Sequence, residues 1–341
     1  MKKRTLLLIV TSSVLAFSCA RVVTEGLNEQ NKKVFDAWRE AAYPSAVKTP
    51  LGAYILEDVP GQGPLMDNSV DYPYVRLTYS VTDLKGNYQA TTYEDVAKQI
   101  GTYSESGYYG PEILYRGESG ESIYAGLDEA FRTMRIGGFR KVIIPGWLCS
   151  YGDYLKDEAY YLANGSGTAA IYSIRAVEQI KDVEVWEIDS LYRYVSAKFP
   201  TMGPADTLTK GLYYHRESAP LPDEKVLKVD STIYINYTGR LLNGKVFDTS
   251  VRDTAIKYGI YSSSSTYGPK SVTIKEDYTE TTMSSSTLID GFSLTLSKMH
   301  PYEKGVAMFY SGLGYKTSGS GSSIPAYCPL RFDIEVVDKP E

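Results

Sequence analysis

The chain has 341 residues, with 36 basic against 41 acidic side chains, a net charge of −5, and 43% hydrophobic residues. That balance is ordinary for a folded protein and argues against a nucleic-acid partner, which needs a basic surface to meet phosphate. Two histidines and three cysteines suit neither a zinc site of usual ligand spacing nor a histidine-based nucleophile, so no metal is expected and catalysis, if present, takes another route.

The length points to two domains rather than one small core. The 31 tyrosines against 9 phenylalanines suit a secreted protein with grooves, since a tyrosine ring covers apolar surface while its hydroxyl stays wet.

From the start of the chain, Lys2, Lys3 and Arg4 precede a short apolar run over 5–17 and then small residues ending in Cys19. This reads as a signal peptide over 1–18, too short for a permanent membrane span. The cysteine at the cut resembles a bacterial lipobox with Cys19 carrying the lipid, although Phe17 stands where a small residue is usual. The other reading is an ordinary signal peptide with a chance cysteine. A lipidated N-terminus and an amphipathic helix over 31–43, closed by Pro44, then fill 19–48.

The remainder reads as a diverged duplication. A first unit covers 49–182, a helix and linker 183–204, and a second unit 205–341. The linker helix over 189–199 ends at Pro200, and Pro204, Pro220 and Pro222 mark the loop-rich start of the second unit. Gly52-Ala-Tyr-Ile matches Gly211-Leu-Tyr-Tyr, and the strand at 75–80 matches that at 233–238. GLDEAFRTM from Gly126 matches GFSLTLSKM from Gly291, and the strand at 171–177 matches that at 331–337. In each unit a helix sets three apolar residues at helical spacing: Leu127, Phe131 and Met134, then Phe292, Leu296 and Met299. The last strand alternates Phe332, Ile334 and Val336 against Asp333 and Glu335. The expected fold class is α+β: two domains, each an antiparallel sheet wrapped on one short helix and each preceded by a helix. The runs Ser262–Ser265, Ser284–Ser286 and 318–323 read as mobile loops. Cys149 and Cys328 fall in different units and are not expected to pair.

In the second unit, Tyr-Thr-Gly at 237–239, Gly-Lys-Val-Phe-Asp at 244–248 and Leu-Ile-Asp-Gly-Phe at 288–292 follow in order. Met299, Gly314-Tyr315, Ile324-Pro325 and Leu-Arg-Phe-Asp-Ile-Glu at 330–335 continue the series. This series resembles an FKBP-type peptidyl-prolyl isomerase domain over most of 211–338. Taken alone, Asp248 also reads as a turn cap, and Tyr237, Phe292 and Phe332 as plain core.

The resemblance implies a pocket for a prolyl ring. Tyr237, Asp248 and Tyr315 would be its catalytic polar groups, and Phe247, Leu288, Ile289, Phe292, Ile324 and Phe332 its substrate-binding walls. Phe292 stands where the family usually has tryptophan, and the stretch between Asp248 and Leu288 is longer than in a minimal domain, a long insertion where the family's flap over the groove begins. No cofactor is implied, because rotating an amide breaks no bond. The implied partners are X-Pro segments of exported proteins and the membrane through the lipid anchor, in a cell envelope, on its periplasmic or outer-membrane face. The whole resembles a two-domain, Bacteroidetes-like lipoprotein.

The first unit resembles the same fold with its chemistry lost. Gln89 and Ala90 fall where Phe and Asp are expected, Leu127 replaces the aromatic floor, and no Ile-Pro follows Tyr151-Gly152. It reads as a non-catalytic domain available for docking, for dimerisation or for an envelope protein partner. Two rival readings stand beside the isomerase: a non-catalytic binding module, and a structural part of a surface assembly such as those that FKBP-like lipoproteins serve in gliding bacteria.

Overall fold

The computed structural model describes residues 26–67, 70–116, 123–149, 156–218 and 227–340. The signal peptide, Cys19, Tyr151, Gly152, Pro220 and Pro222 lie outside the described residues.

After α1 (Leu27–Ala42), the first sheet is built from β1 (Val47–Lys48), β2 (Tyr54–Val59), β3 (Tyr74–Thr82), β4 (Tyr88–Thr91), β5 (Glu112–Tyr115), β6 (Phe139–Ile144) and β7 (Ala170–Ile180). Between these strands lie α2 (Glu94–Gln99), α3 (Ala125–Arg132) and α4 (Glu158–Asn164). Helix α5 (Val183–Lys198) leads to the second sheet. Its strands are β8 (Thr207–Thr209), β9 (Leu212–Arg216), β10 (Thr232–Leu241), β11 (Val246–Thr249), β12 (Lys270–Thr273), β13 (Thr282–Met283), β14 (Ser286–Thr287), β15 (Lys304–Phe309) and β16 (Leu330–Val337), with α6 (Arg252–Lys257) and α7 (Asp290–Leu296) between them.

The two sheets share one topology. The first runs β1-β2-β6-β7-β3-β4 with β5 also on β3; the second runs β8-β9-β15-β16-β10 with both β11 and β12 on β10. Pairing is antiparallel throughout. Register follows too: Val81 faces Ala90 and Tyr172, as Gly239 faces Asp248 and Phe332. The sequence reading allows each sheet a single short helix, whereas α2 and α6 add a second one after β4 and β11, and α4 adds a third in the first domain before β7. The second sheet also carries the hairpin β13–β14. Its turn is closed by Ser284 and Ser285 at φ 50° and 72°, so this serine run is a tight turn rather than a loose loop.

Each sheet buries its helix through a glycine. At Gly126 a β-carbon would come within 2.6 Å of Ile144, and at Gly291 within 2.5 Å of the Phe309 ring. Only glycine lets α3 and α7 lie this close to the strands behind them, and this accounts for the repeated glycine opening both helical motifs. Beneath α3, Arg116 and Asp128 form a fully buried ion pair at 3.1 Å, with Arg132 on the other carboxylate oxygen. Strand β16 alternates buried and half-buried residues along its whole length.

The leading helices are fixed by different contacts. Phe35 of α1 meets Trp147 and Tyr54 at 5.5 and 5.9 Å between ring centroids. Helix α5 packs Leu191 and Val195 on Tyr213, Val306 and Met308, the outer face of the second sheet. Its buried Glu187 accepts hydrogen bonds from both the backbone N–H and the hydroxyl of Ser311, each at 2.7 Å. Cys149 and Cys328 are free thiols. No helix among the described residues is long and apolar enough to cross a membrane.

Candidate active site

Strand β10 brings the first two groups together. Tyr237 is 8% exposed, and its hydroxyl donates to Asp248 Oδ2 at 2.6 Å. Asp248 sits in β11 opposite Gly239, two positions beyond Tyr237 on β10, so its carboxylate caps no turn and engages the phenol instead. Burial first, and the Asp248 charge second, raise the Tyr237 hydroxyl far above a free phenol, so it remains a proton donor. The backbone of Tyr237 is held as well, its N–H donating to Ser250 Oγ at 2.9 Å.

The glycine in the Tyr-Thr-Gly motif has a packing cause. A β-carbon on Gly239 would lie 2.6 Å from the Phe247 ring and 3.0 Å from Phe332. Phe247 therefore lies flat over bare backbone, half-buried, with its ring edge-on to Phe332 at 5.7 Å. Phe332 contacts Phe292 at 4.8 Å, and both rings approach Tyr237 at 6.4 and 5.9 Å respectively. Phe292 and Phe332 are 2% and 4% exposed. Phe292 and Phe332 are thus core residues whose rings back Tyr237 and Phe247.

Leu288, Ile289 and Tyr315 are half-buried against this core, and Ile324 is buried within it. Ile289 is the last extended residue before α7. Tyr315 follows a turn pinned by Lys316 N–H to Ser311 O at 2.9 Å, so the Glu187–Ser311 contact anchors its loop. Burial, and then the Asp248 charge, raise the Tyr315 hydroxyl above its ordinary range. That hydroxyl makes no hydrogen bond among the described residues.

A cleft of ≈ 640 Å³ opens on the Phe247–Asp248 side of the cluster. Tyr237, Phe247 and Asp248 line it, whereas Phe292, Tyr315 and Phe332 do not. Its far wall comes from the loop after α6 and, unforeseen from the sequence, from Ser104, Glu105 and Ser106 of the first domain. Phe309 was also missed; it stacks under Phe332 at 5.7 Å and 11°. No group of three or more ligating side chains able to hold a metal occurs among the described residues.

The corresponding place in the first domain is different. Val81 stands at the register of Gly239, Gln89 is exposed, and Ala90 offers no carboxylate. Valine is possible there because no phenylalanine ring must lie over it. The Tyr79 hydroxyl donates instead to Glu112 Oε2 at 2.7 Å, from β5 rather than β4. Burial raises the carboxyl of Glu112 above its ordinary range. A largely apolar cavity of ≈ 340 Å³ remains, bounded by Tyr79, Val81, Leu127 and Tyr172 among others.

Residues 223–337 match the family described as FKBP-type peptidyl-prolyl cis-trans isomerase. A probable FKBP-type peptidyl-prolyl cis-trans isomerase of Haemophilus influenzae is 30% identical over 143 residues, 42% of this chain and 48% of that protein. The macrophage infectivity potentiator of Trypanosoma cruzi is 27% identical over 130 residues, 38% of this chain and 54% of that one. FK506-binding protein 2 of Dictyostelium discoideum is 30% identical over 137 residues, covering 39% of this chain and 81% of that protein. The chain belongs to the FKBP-type peptidyl-prolyl cis-trans isomerase family through its second domain. It spans about half the length of the first two of these relatives.

Proposed function

We propose that the second domain catalyses cis–trans isomerisation of X-Pro peptide bonds. The observation that carries this reading is the Tyr237–Asp248 hydrogen bond set against the Phe247, Phe292 and Phe332 rings. Rotation about an X-Pro bond is slow because amide resonance imposes a barrier of roughly 18–20 kcal/mol. A site that lowers the barrier needs no nucleophile. It needs an apolar seat for the prolyl ring, exclusion of water from the amide, and a donor for the carbonyl oxygen as it turns.

Each need has a group. The aromatic rings seat the pyrrolidine, Asp248 fixes the Tyr237 phenol, and the Tyr315 hydroxyl donates to the rotating carbonyl. Leu288, Ile289 and Ile324 close the apolar surround. The first domain, lacking counterparts of Phe247 and Asp248, is a non-catalytic companion. Isomerisation of an X-Pro peptide by the full chain, compared with Phe247→Ala and Asp248→Ala, tests this. Turnover unaffected by either variant contradicts it, and peptide binding without turnover favours the binding-module reading.

The same proposal extends to the cell. The basic start, apolar run and Cys19 support an envelope lipoprotein that assists exported proteins at the membrane surface. Mass spectrometry of the N-terminal peptide from the native host should find Cys19 lipid-modified; a free Cys19 thiol, or cleavage elsewhere, contradicts the anchor.

A further inference from the structure

The loops after α2 and α6 are copies of one another: GTYSESGYYGP at 101–111 and GIYSSSSTYGP at 259–269. Each closes on itself identically. Tyr103 stacks on Tyr109 at 5.4 Å and 20°, and Tyr261 on Tyr267 at 5.4 Å and 16°. The N–H of Ser104 donates to the Tyr109 hydroxyl at 3.0 Å, and that of Ser262 to Tyr267 at 2.9 Å. Two rigid hairpin-like loops thus come from a single ancestral element, one in each domain.

The first-domain copy lies against the second domain. Tyr108 N–H donates to Ser322 O at 2.8 Å, and the Tyr108 side chain packs on the second core. Lys245 sits over Tyr103 and Tyr109 at 5.5 and 5.0 Å from their ring centroids. At Gly259, in the left-handed region at φ 70°, a β-carbon would lie 2.8 Å from Glu105 Cγ. The two copies meet there, and both line the cleft beside Tyr237, Phe247 and Asp248.

Only one position distinguishes the copies in charge: Glu105 stands where the second copy has Ser263. Glu105 is exposed, and one carboxylate oxygen accepts from the Tyr103 hydroxyl at 2.9 Å. Among the other cleft residues, Asp248 is acidic and Lys270 basic, the latter with its Nζ on Thr266 O at 2.5 Å. The nearby Lys98 pairs with Glu94 at 2.6 Å and Lys245 lies on the tyrosine rings, and both lysines also lie within electrostatic reach of Glu105, which they partly offset. A loop closed by its own stacked tyrosines therefore presents a carboxylate to whatever chain extends from the aromatic box.

We infer that the first domain forms one wall of the substrate groove, and that Glu105 on this wall selects X-Pro segments with a lysine or arginine flanking the proline. This rests on the peptide-binding reading of the second domain and adds the chemistry of the flanking residue. The degenerate domain then has a specific task without any catalysis of its own.

The test uses the full chain and fluorescent peptides with Lys, Ala or Glu on either side of proline, read separately by binding anisotropy and by NMR exchange of the X-Pro bond. Wild-type protein should bind the best Lys peptide about two- to fivefold more tightly than its Glu counterpart, the scale of an exposed charge pair. Glu105→Gln should flatten that ranking, Glu105→Lys should reverse it, and added salt should compress it. The same ranking in wild type and Glu105→Lys overturns the inference even if turnover is seen. Rankings that follow residue 105 without turnover uphold it and overturn the isomerase reading instead. Failure of every peptide to bind overturns both.

Discussion

The Tyr237 hydroxyl donates to Asp248 Oδ2 at 2.6 Å across the β10–β11 pair, while the Asp248 side chain stays open to the cleft. One carboxylate is thereby at the groove surface and bonded to a buried phenol. Hydrogen bonds to a charged group contribute about 1.5–3 kcal/mol. Asp248→Ala should cut kcat/KM for an X-Pro peptide roughly tenfold or more, at the low end of that range. Unchanged kcat/KM would remove Asp248 from the site.

Phe247 and Tyr315 should separate binding from turnover. Phe247 is half-buried over Gly239, and its truncation to alanine should weaken peptide binding by about 1.5 kcal/mol, the lower bound for a well-buried ring. Tyr315→Phe removes only a hydroxyl that makes no hydrogen bond among the described residues, so kcat should fall while peptide affinity holds. Parallel titration and exchange measurements check both; a Tyr315→Phe variant that loses affinity and keeps kcat contradicts the assignment.

Phe332 joins site and stability. It touches Phe247, Phe292, Phe309 and Tyr237, and is 4% exposed. Phe332→Ala should destabilise the protein by about 3–5 kcal/mol in denaturant titration. A cost under about 1 kcal/mol would mean that the surroundings collapse to fill the space.

Glu112 predicts a pH effect in the first domain. Burial raises its folded-state carboxyl above the unfolded value, so the folded state binds this proton more tightly. Stability from this group is greatest below the unfolded pKa and is lost as pH rises to and through the folded one. Glu112→Gln keeps an acceptor for Tyr79 and abolishes that loss, so its stability relative to wild type should improve from acid towards neutral pH. A pH-independent difference in melting between the two proteins contradicts this.

Much of the site was legible because its residues are tied to local motifs. Tyr237, Phe247 and Asp248 lie on one hairpin through Asn243 and Gly244, whose spacing carries the pairing. Phe309 was not legible, since its place under Phe332 depends on the bare face of Gly291 in another element. Glu112 escaped because its carboxylate replaces one lost from β4 by way of β5, which pairs with the other end of the same β3 edge, far along the chain from the sequence motif. The long stretch after Asp248 read as an insertion. Part of it is the duplicated loop, whose serines hid the matching tyrosines and glycines. That its first-domain copy reaches the cleft is a contact between domains, which no local periodicity encodes.

Isomerase activity in the second domain is tested by NMR exchange of an X-Pro peptide in the presence of the full chain and of a Phe247→Ala, Asp248→Ala double variant. Both substituted side chains lie at the cleft surface, so a matching thermal melt would certify the variant's fold. Wild type should accelerate cis–trans exchange, and the double variant should lose most of that acceleration. Equal acceleration by both proteins, or none by wild type, would contradict this assignment.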